Sequence, residues 1–145
     1  MSKPTEPFVH TRRIMFGDTD AARVVYTPRF LHFVVEALDG WFDERLGVNW
    51  YDMNVDQNIG TPFVRSEIDY RSALTPRDTL ASTVRLIKRG GSSLHFSVVG
   101  CVGERLVYEA KLIVAVARTD VFRPSRPPEA WEAALAAELE IGTKL

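Results

Sequence analysis

Apolar residues recur at helical spacing in one stretch of the chain and at alternate positions in several others, and this contrast divides it. From Phe30 onward, Phe33, Val34, Ala37, Leu38 and Trp41 return every three or four positions, the period of an α-helix. Leu31, Val35 and Phe42 widen that surface beyond an ordinary stripe, leaving His32, Glu36, Asp39 and Asp43 as a narrow polar strip. A helix this apolar has to be covered around most of its circumference. Thr27 is placed to cap it, Pro28 sits at the first helical position where its missing N–H costs nothing, and Gly47 is placed to end it.

Past Pro62 the period falls to two. Val64, Ile68, Tyr70 and Leu74 fall on one side, and Arg65, Glu67, Asp69 and Arg71 on the other. A turn at 76–78 leads to strands over 80–87 and 94–102, joined by the hairpin signal Gly90-Gly91-Ser92. Gly103-Glu104 turns the chain into 106–117, whose later half is apolar at nearly every position, as expected of a central strand covered on both faces. Ahead of the helix, a loose leader with Pro4 and Pro7 gives way to a strand over 8–16, broken by Gly17 and Asp18. Residues 48–60 read as a loop with at most a short helical turn, and 123–128 as a proline-rich exit to a terminal helix over 128–139. The economical packing is α+β: an antiparallel sheet curled around one long helix, in a single domain spanning residues 1–145. One sheet face then lacks a helix and strand edges stay unpaired, which points to association between subunits.

Composition narrows the function. The 145 residues carry a formal net charge of -1 with acids and bases scattered, so the basic stripe of a nucleic-acid protein is missing. Cys101 is the only cysteine, which excludes an internal disulfide and a thiolate zinc site and fits a reducing compartment. It reads as a small buried side chain in an alternating strand. His10, His32 and His95 are too dispersed in sequence to read as a ligand set, so no metal or cofactor is expected. With neither a signal-peptide run nor a segment of membrane-spanning length, a cytoplasmic protein without a membrane partner is expected.

The chemistry concentrates in residues 16–28, FGDTDAARVVYTP. Two carboxylates, Asp18 and Asp20, lie in a loop directly before the helix. Asp18 reads most simply as a turn or cap residue. Around Thr27 the outward N–H groups of the helix start carry the positive end of its dipole. A carbonyl oxygen set there would meet an oxyanion site, and a nearby carboxylate would drive the attack. Tyr26 anchors the helix start, with a hydroxyl that can reach toward a substrate.

This run resembles the signature of the 4-hydroxybenzoyl-CoA thioesterase family, in which an aromatic-Gly-Asp-x-Asp stretch leads into a Tyr-x-Pro or Tyr-His helix start. The resemblance continues in GTPFV from Gly60 and in ALTPRDTL from Ala73, and so covers nearly the whole chain. It implies the hotdog fold, dimers with a continuous sheet, often tetramers, and active sites at the subunit interface. It makes Asp20 the catalytic carboxylate, the Thr27 amide the carbonyl polariser, and Thr61 a neighbour of the acyl pocket. It also brings Lys88, Arg89, Ser93 and Arg123 toward the coenzyme A phosphates, although a solvated surface accounts for these cations equally well. Two departures bear on mechanism. Many relatives carry a histidine where this chain has Thr27, and an acid that reads a ring hydroxyl where it has Val35.

The expected activity is hydrolysis of an acyl-CoA thioester, aromatic or short to medium in chain, by a homodimer or homotetramer. Asp20 would act either as nucleophile, through a mixed anhydride, or as general base on water. The competing readings are a hotdog hydratase or dehydratase, which would need a histidine paired with an acid, and a non-catalytic acyl-CoA binding module, which would not need Asp20.

Overall fold

The computed structural model of the chain describes residues 3–144; Met1 and Ser2 of the expected leader, and Leu145, lie outside the described residues. Strand β1 (Phe8–Arg13) leads through a single 3-10 turn (Phe16–Asp18) and a tight hairpin into helix α1 (Arg29–Trp41). A π-turn over Phe42–Leu46, helix α2 (Trp50–Gln57) and the short β2 (Ile59–Gly60) follow. The long strands β3 (Phe63–Tyr70), β4 (Thr79–Arg89), β5 (Ser93–Val102) and β6 (Arg105–Ala115) come next. Short strands β7 (Ala117–Arg118) and β8 (Arg123–Pro124), then helix α3 (Glu132–Thr143), close the chain.

The long strands and β1 form one antiparallel sheet in the order β1-β4-β5-β6-β3, beside a small β2-β7-β8 sheet. The large sheet wraps α1, as the hydrophobic pattern requires. Phe30, Phe33, Val34, Ala37, Leu38 and Trp41 are buried against Val84, Leu86, Leu94, Phe96, Val98, Leu112 and Val114 from alternate positions of β4, β5 and β6. Burying each such side chain contributes about 1.5–3 kcal/mol, so this layer dominates the energetics.

Several boundaries differ from the sequence expectation, the terminal helix among them: it runs Glu132–Thr143 after a 3-10 turn at Glu129–Trp131, rather than over 128–139. The strand expected over 8–16 stops at Arg13, because residues 16–18 coil into the 3-10 turn. Residues 48–60 hold a full helix, α2, capped by the Asn49 carboxamide accepting from Asp52 N–H at 3.1 Å and closed by Asn58 in the left-handed region. Gly47 ends the α1 region as expected, at φ 67°, but only after the π-turn carries the chain five residues past Trp41. Strand β6 lies inside the sheet, yet only one of its faces is covered: Glu109 and Lys111 on the other are exposed.

Two glycines permit close contacts that larger residues would block. Ser82, Gly100 and Tyr108 stand side by side on the inner face of β4, β5 and β6. A Cβ on Gly100 would collide with the Tyr108 ring, which lies across it and places its hydroxyl 2.6 Å from Ser82 Oγ. Burial pushes that phenol up to about 12, so it stays a neutral hydrogen-bonding group. Gly142 likewise lets α3 reach the backbone of Leu86 on β4, beyond the end of the β1 pairing at Val84. Gly100→Ala should push Tyr108 off Ser82 and destabilise the fold by about 2–3 kcal/mol. Urea denaturation checks this; an unchanged midpoint would contradict the packing described.

Candidate active site

Residues 19–25 form a hairpin that ends directly in α1. Thr19 bridges Val25, Asp20 N–H donates to the Val24 carbonyl at 3.1 Å, and Arg23 N–H to the Asp20 carbonyl at 3.0 Å. Arg23 turns the chain at φ 70°, a conformation that costs a non-glycine residue on the order of 1 kcal/mol. The Asp20 side chain is exposed; its Oδ1 accepts from Ala22 N–H at 2.8 Å, an Asx turn. Among the described residues Asp20 has no ion-pair partner.

On the returning side, Tyr26 N–H donates to the Asp18 carbonyl at 2.9 Å and Val25 N–H to the Leu74 carbonyl at 2.9 Å. The Thr27 hydroxyl does not cap α1, contrary to the sequence expectation. Pro28 already has helical angles of φ -62° and ψ -19° and occupies the cap position without a side-chain hydrogen bond. The Tyr26 and Thr27 carbonyls instead accept from Arg29 and Phe30 N–H at 2.8 and 3.1 Å. The Thr27 N–H donates to none of the described residues. It precedes the positive end of a 13-residue helix.

Asp18, two residues before Asp20, has the structural role read for it. It is 4% exposed and accepts from Met15 N–H at 2.8 Å and from Arg12 Nη1 at 2.6 Å. Arg12 also donates through Nε to Glu36 Oε2 at 2.8 Å and stacks 4.5 Å over the Phe33 ring. Sequence reading missed Arg12; its only signal was its place two residues after His10 on the helix-facing side of β1. Glu36 is held by Arg12 and also lines, with Val35, Leu31, His32 and Asp39, a shallow groove on α1. His10 Nε2 comes within 4.0 Å of Glu36, a histidine–acid approach, but Arg12 already holds that carboxylate.

The other expected site residues lie elsewhere. Thr61 borders a cavity of about 330 Å³ lined by Trp50, Asn54, Pro62, Phe63, Arg118 and Phe122 among others, and sequence reading missed Trp50 and Phe122 there. Pro62 O accepts from Ala115 N–H, which ties this cavity to the β6 end next to Ser93. Ser93 Oγ lies 3.3 Å from His95 Nε2, Arg89 is paired with Glu132, and Lys88 and Arg123 are exposed without an ion-pair partner among the described residues. The hairpin carrying Asp20 hangs at the opposite end, where Ile14 N–H bonds the Asp78 carbonyl just before Thr79 begins β4. Ten residue steps along β4 separate the two ends, about 33 Å at strand rise. The chain thus holds the expected residues apart, Asp20, Tyr26 and Thr27 at one end, Thr61, Lys88, Arg89, Ser93 and Arg123 at the other, and Val35 on α1. Among the described residues no cluster of His, Cys, Asp and Glu could hold a metal, and no helix is long and apolar enough to cross a membrane.

The sequence pattern of the thioesterase-like superfamily matches residues 14–135. The chain belongs to that superfamily. A thioesterase superfamily protein of Jannaschia sp. CCS1 is similar at 31% identity over 96% of this chain and 97% of its own, with a TM-score of 0.86. The 1,4-dihydroxy-2-naphthoyl-CoA thioesterase of Synechocystis shares the fold at 20% identity, TM-score 0.82, covering 89% and 95% of the two chains. The DHNA-CoA thioesterase of Staphylococcus aureus does so at 16% identity, TM-score 0.80, covering 88% and 87%. No curated protein matches the sequence. The sheet curled around α1 is the hotdog fold of these thioesterase-superfamily structures.

In this thioesterase-like protein the two loop carboxylates have opposite environments. Burial pushes the Asp18 carboxyl up, but hydrogen bonds from Arg12 and Met15 N–H and the charges of Arg12 and Arg29 outweigh it and hold the group below its ordinary range. A carboxyl depressed in the folded state stabilises above its unfolded pKa, about 3.9, and loses that contribution as pH falls through the lower folded value. Asp18→Asn should therefore lower stability at pH 7 by about 1–3 kcal/mol, since Arg12 loses its buried partner and keeps only Glu36. Thermal denaturation should show the gap to wild type narrowing below about pH 4; a gap independent of pH would refute the electrostatic account.

Proposed function

We propose that the protein hydrolyses acyl-CoA thioesters, with Asp20 as the reacting carboxylate and the Thr27 N–H as oxyanion donor. The observation that carries this reading is an exposed, unpaired carboxylate and an unpartnered helix-start amide on one short hairpin. As general base, Asp20 takes a proton from water while the oxygen adds to the thioester carbonyl; the C–S bond then breaks and the coenzyme A sulfur takes up a proton. As nucleophile, Asp20 adds to the carbonyl itself, expels the thiolate and leaves a mixed anhydride for water to open. On either route negative charge gathers on the carbonyl oxygen, where a preorganised amide at a helix N-terminus stabilises it most. Tyr26, about half exposed beside Thr27, can orient the thioester through its hydroxyl.

The split of site residues supports a site shared between two copies. Strand β3 is an eight-residue sheet edge with Phe63, Val64 and Tyr70 exposed. Pairing that edge with its copy across a two-fold axis is antiparallel and extends the sheet. It sets the Phe63 end of one protomer beside the Tyr70 end of the other, where Tyr70 packs 5.1 Å from Phe30 at the start of α1. Thr61 and its apolar cavity then approach the Asp20 hairpin of the neighbour to receive the acyl group, and Lys88, Arg89, Ser93 and Arg123 come within range of the coenzyme A phosphates. The same surfaces permit a dimer or, through the uncovered sheet face, a tetramer. A reducing, cytoplasmic setting fits the single free Cys101.

Thiol release from a panel of acyl-CoA substrates tests the reading. Asp20→Asn should lower kcat at least about a hundredfold while leaving the fold intact; a variant as fast as wild type removes Asp20 from the mechanism. Val35 offers the acyl group apolar contact only, and a buried hydroxyl left without a partner costs about 1–3 kcal/mol. Benzoyl-CoA should therefore be turned over at least as efficiently as its 4-hydroxy derivative, with Val35→Asp shifting kcat/KM toward the latter. A wild-type preference of about tenfold for the hydroxylated ring, roughly 1.4 kcal/mol, would defeat this assignment.

A further inference from the structure

We infer that Arg12 is a positioning residue for this reaction: it fixes the Asp20 side of the hairpin against α1 by joining Asp18 to Glu36. The inference rests on the thioesterase reading above. Asp18 is the pivot of the hairpin base. Its side chain receives Met15 N–H and Arg12 Nη1, and its carbonyl receives Tyr26 N–H. The outgoing arm carries Asp20 two residues later, and the returning arm carries Thr27 one residue after Tyr26. The returning arm is continuous with α1 and moves with the helix. Backbone hydrogen bonds join the two arms, and Arg12 adds a side-chain tie from the outgoing arm to the helix, reaching Glu36 Oε2 on the second turn of α1 and lying on the Phe33 ring. Those backbone bonds set the spacing of the two arms, and the clamp sets how the Asp20 side of the hairpin lies against α1.

A guanidinium suits the task because its planar fork can donate to two carboxylates on different elements while its face lies on an aromatic ring. His10 faces Glu36 from β1, and Arg29 approaches Asp18 from the start of α1, but neither joins the two carboxylates. Arg12 is partly buried and bonds Asp18 rather than Asp20 or Thr27, so its influence on the reaction passes through Asp18.

Steady-state kinetics on one acyl-CoA substrate, with variants shown to be folded by circular dichroism, separates positioning from bulk stability. Arg12→Gln should lower kcat by about ten- to a hundredfold, the scale of a small misplacement of reacting groups, while KM stays within about twofold. Arg12→Lys should recover part of the lost kcat, because an ammonium can hold Asp18 but cannot bridge to Glu36 as well. Glu36→Gln, at a partly exposed position outside the loop, should fold whatever the fate of the Arg12 variants and reduce kcat by about threefold or more at unchanged KM. Wild-type kcat in folded Arg12→Gln, or in Glu36→Gln if the former does not fold, overturns the positioning role. Loss expressed only in KM overturns it too. A wild type that releases no thiol from any acyl-CoA sinks the thioesterase reading and this role together, an outcome distinct from an active wild type with indifferent variants.

Discussion

Helix α1 buries so much of its circumference that only a surface curving around it can satisfy it. A flat sheet would touch one stripe and leave Phe30 or Trp41 in water. The large sheet bends instead, with register shifts between Leu86 and Lys88 and between Gly100 and Cys101, the kind of irregularity that increases local twist. Tyr108 crossing Gly100 fills the concave side where strands converge on the helix start. Because α1 is gripped along its length, its N-terminus is fixed in space. The hairpin that feeds into it inherits that fixity.

The two aspartates of that hairpin show how environment divides similar residues. Asp18 faces the interior, where an unpaired carboxylate would be expensive, and it is met by a guanidinium and a backbone amide. Asp20 faces outward, with one oxygen engaged in a local turn. Exchange of their roles is prevented by the 3-10 turn at Phe16–Asp18, which aims the first carboxylate inward, and by the Arg23 turn, which brings the second to the rim.

The sequence made the helix, the hairpin meander and the carboxylate loop legible because each follows from local rules: spacing of apolar side chains, glycine turns, a loop before a helix start. What it hid depends on distance through space. Arg12 sits in an imperfectly alternating strand, and nothing in its neighbours announces that it bridges residues six and twenty-four positions away. Trp50 and Phe122 line one cavity from opposite parts of the chain. Helix α2 was hidden for a different reason: its weakly amphipathic sequence gives no clear period, although Asn49 three residues before Asp52 was a readable cap. The Thr27 cap was misread because a threonine before proline looks the same whether or not its hydroxyl is used. The division of the site residues between opposite ends of the sheet could not emerge before strand order was known, since the motifs follow one another in sequence as though they were neighbours.

Strand β3 carries a consequence for the newly made chain. Its outer edge leaves amides and carbonyls facing water along an eight-residue strand that carries exposed aromatic and aliphatic side chains, a template on which any extended peptide could grow. Arg65, Glu67 and Asp69 occupy alternate positions along it. An intruding strand would have to match that charge sequence or bring like charges together. A fresh polypeptide leaving the ribosome is thereby guarded against indiscriminate cross-β growth, while a strand bearing a complementary pattern is still admitted.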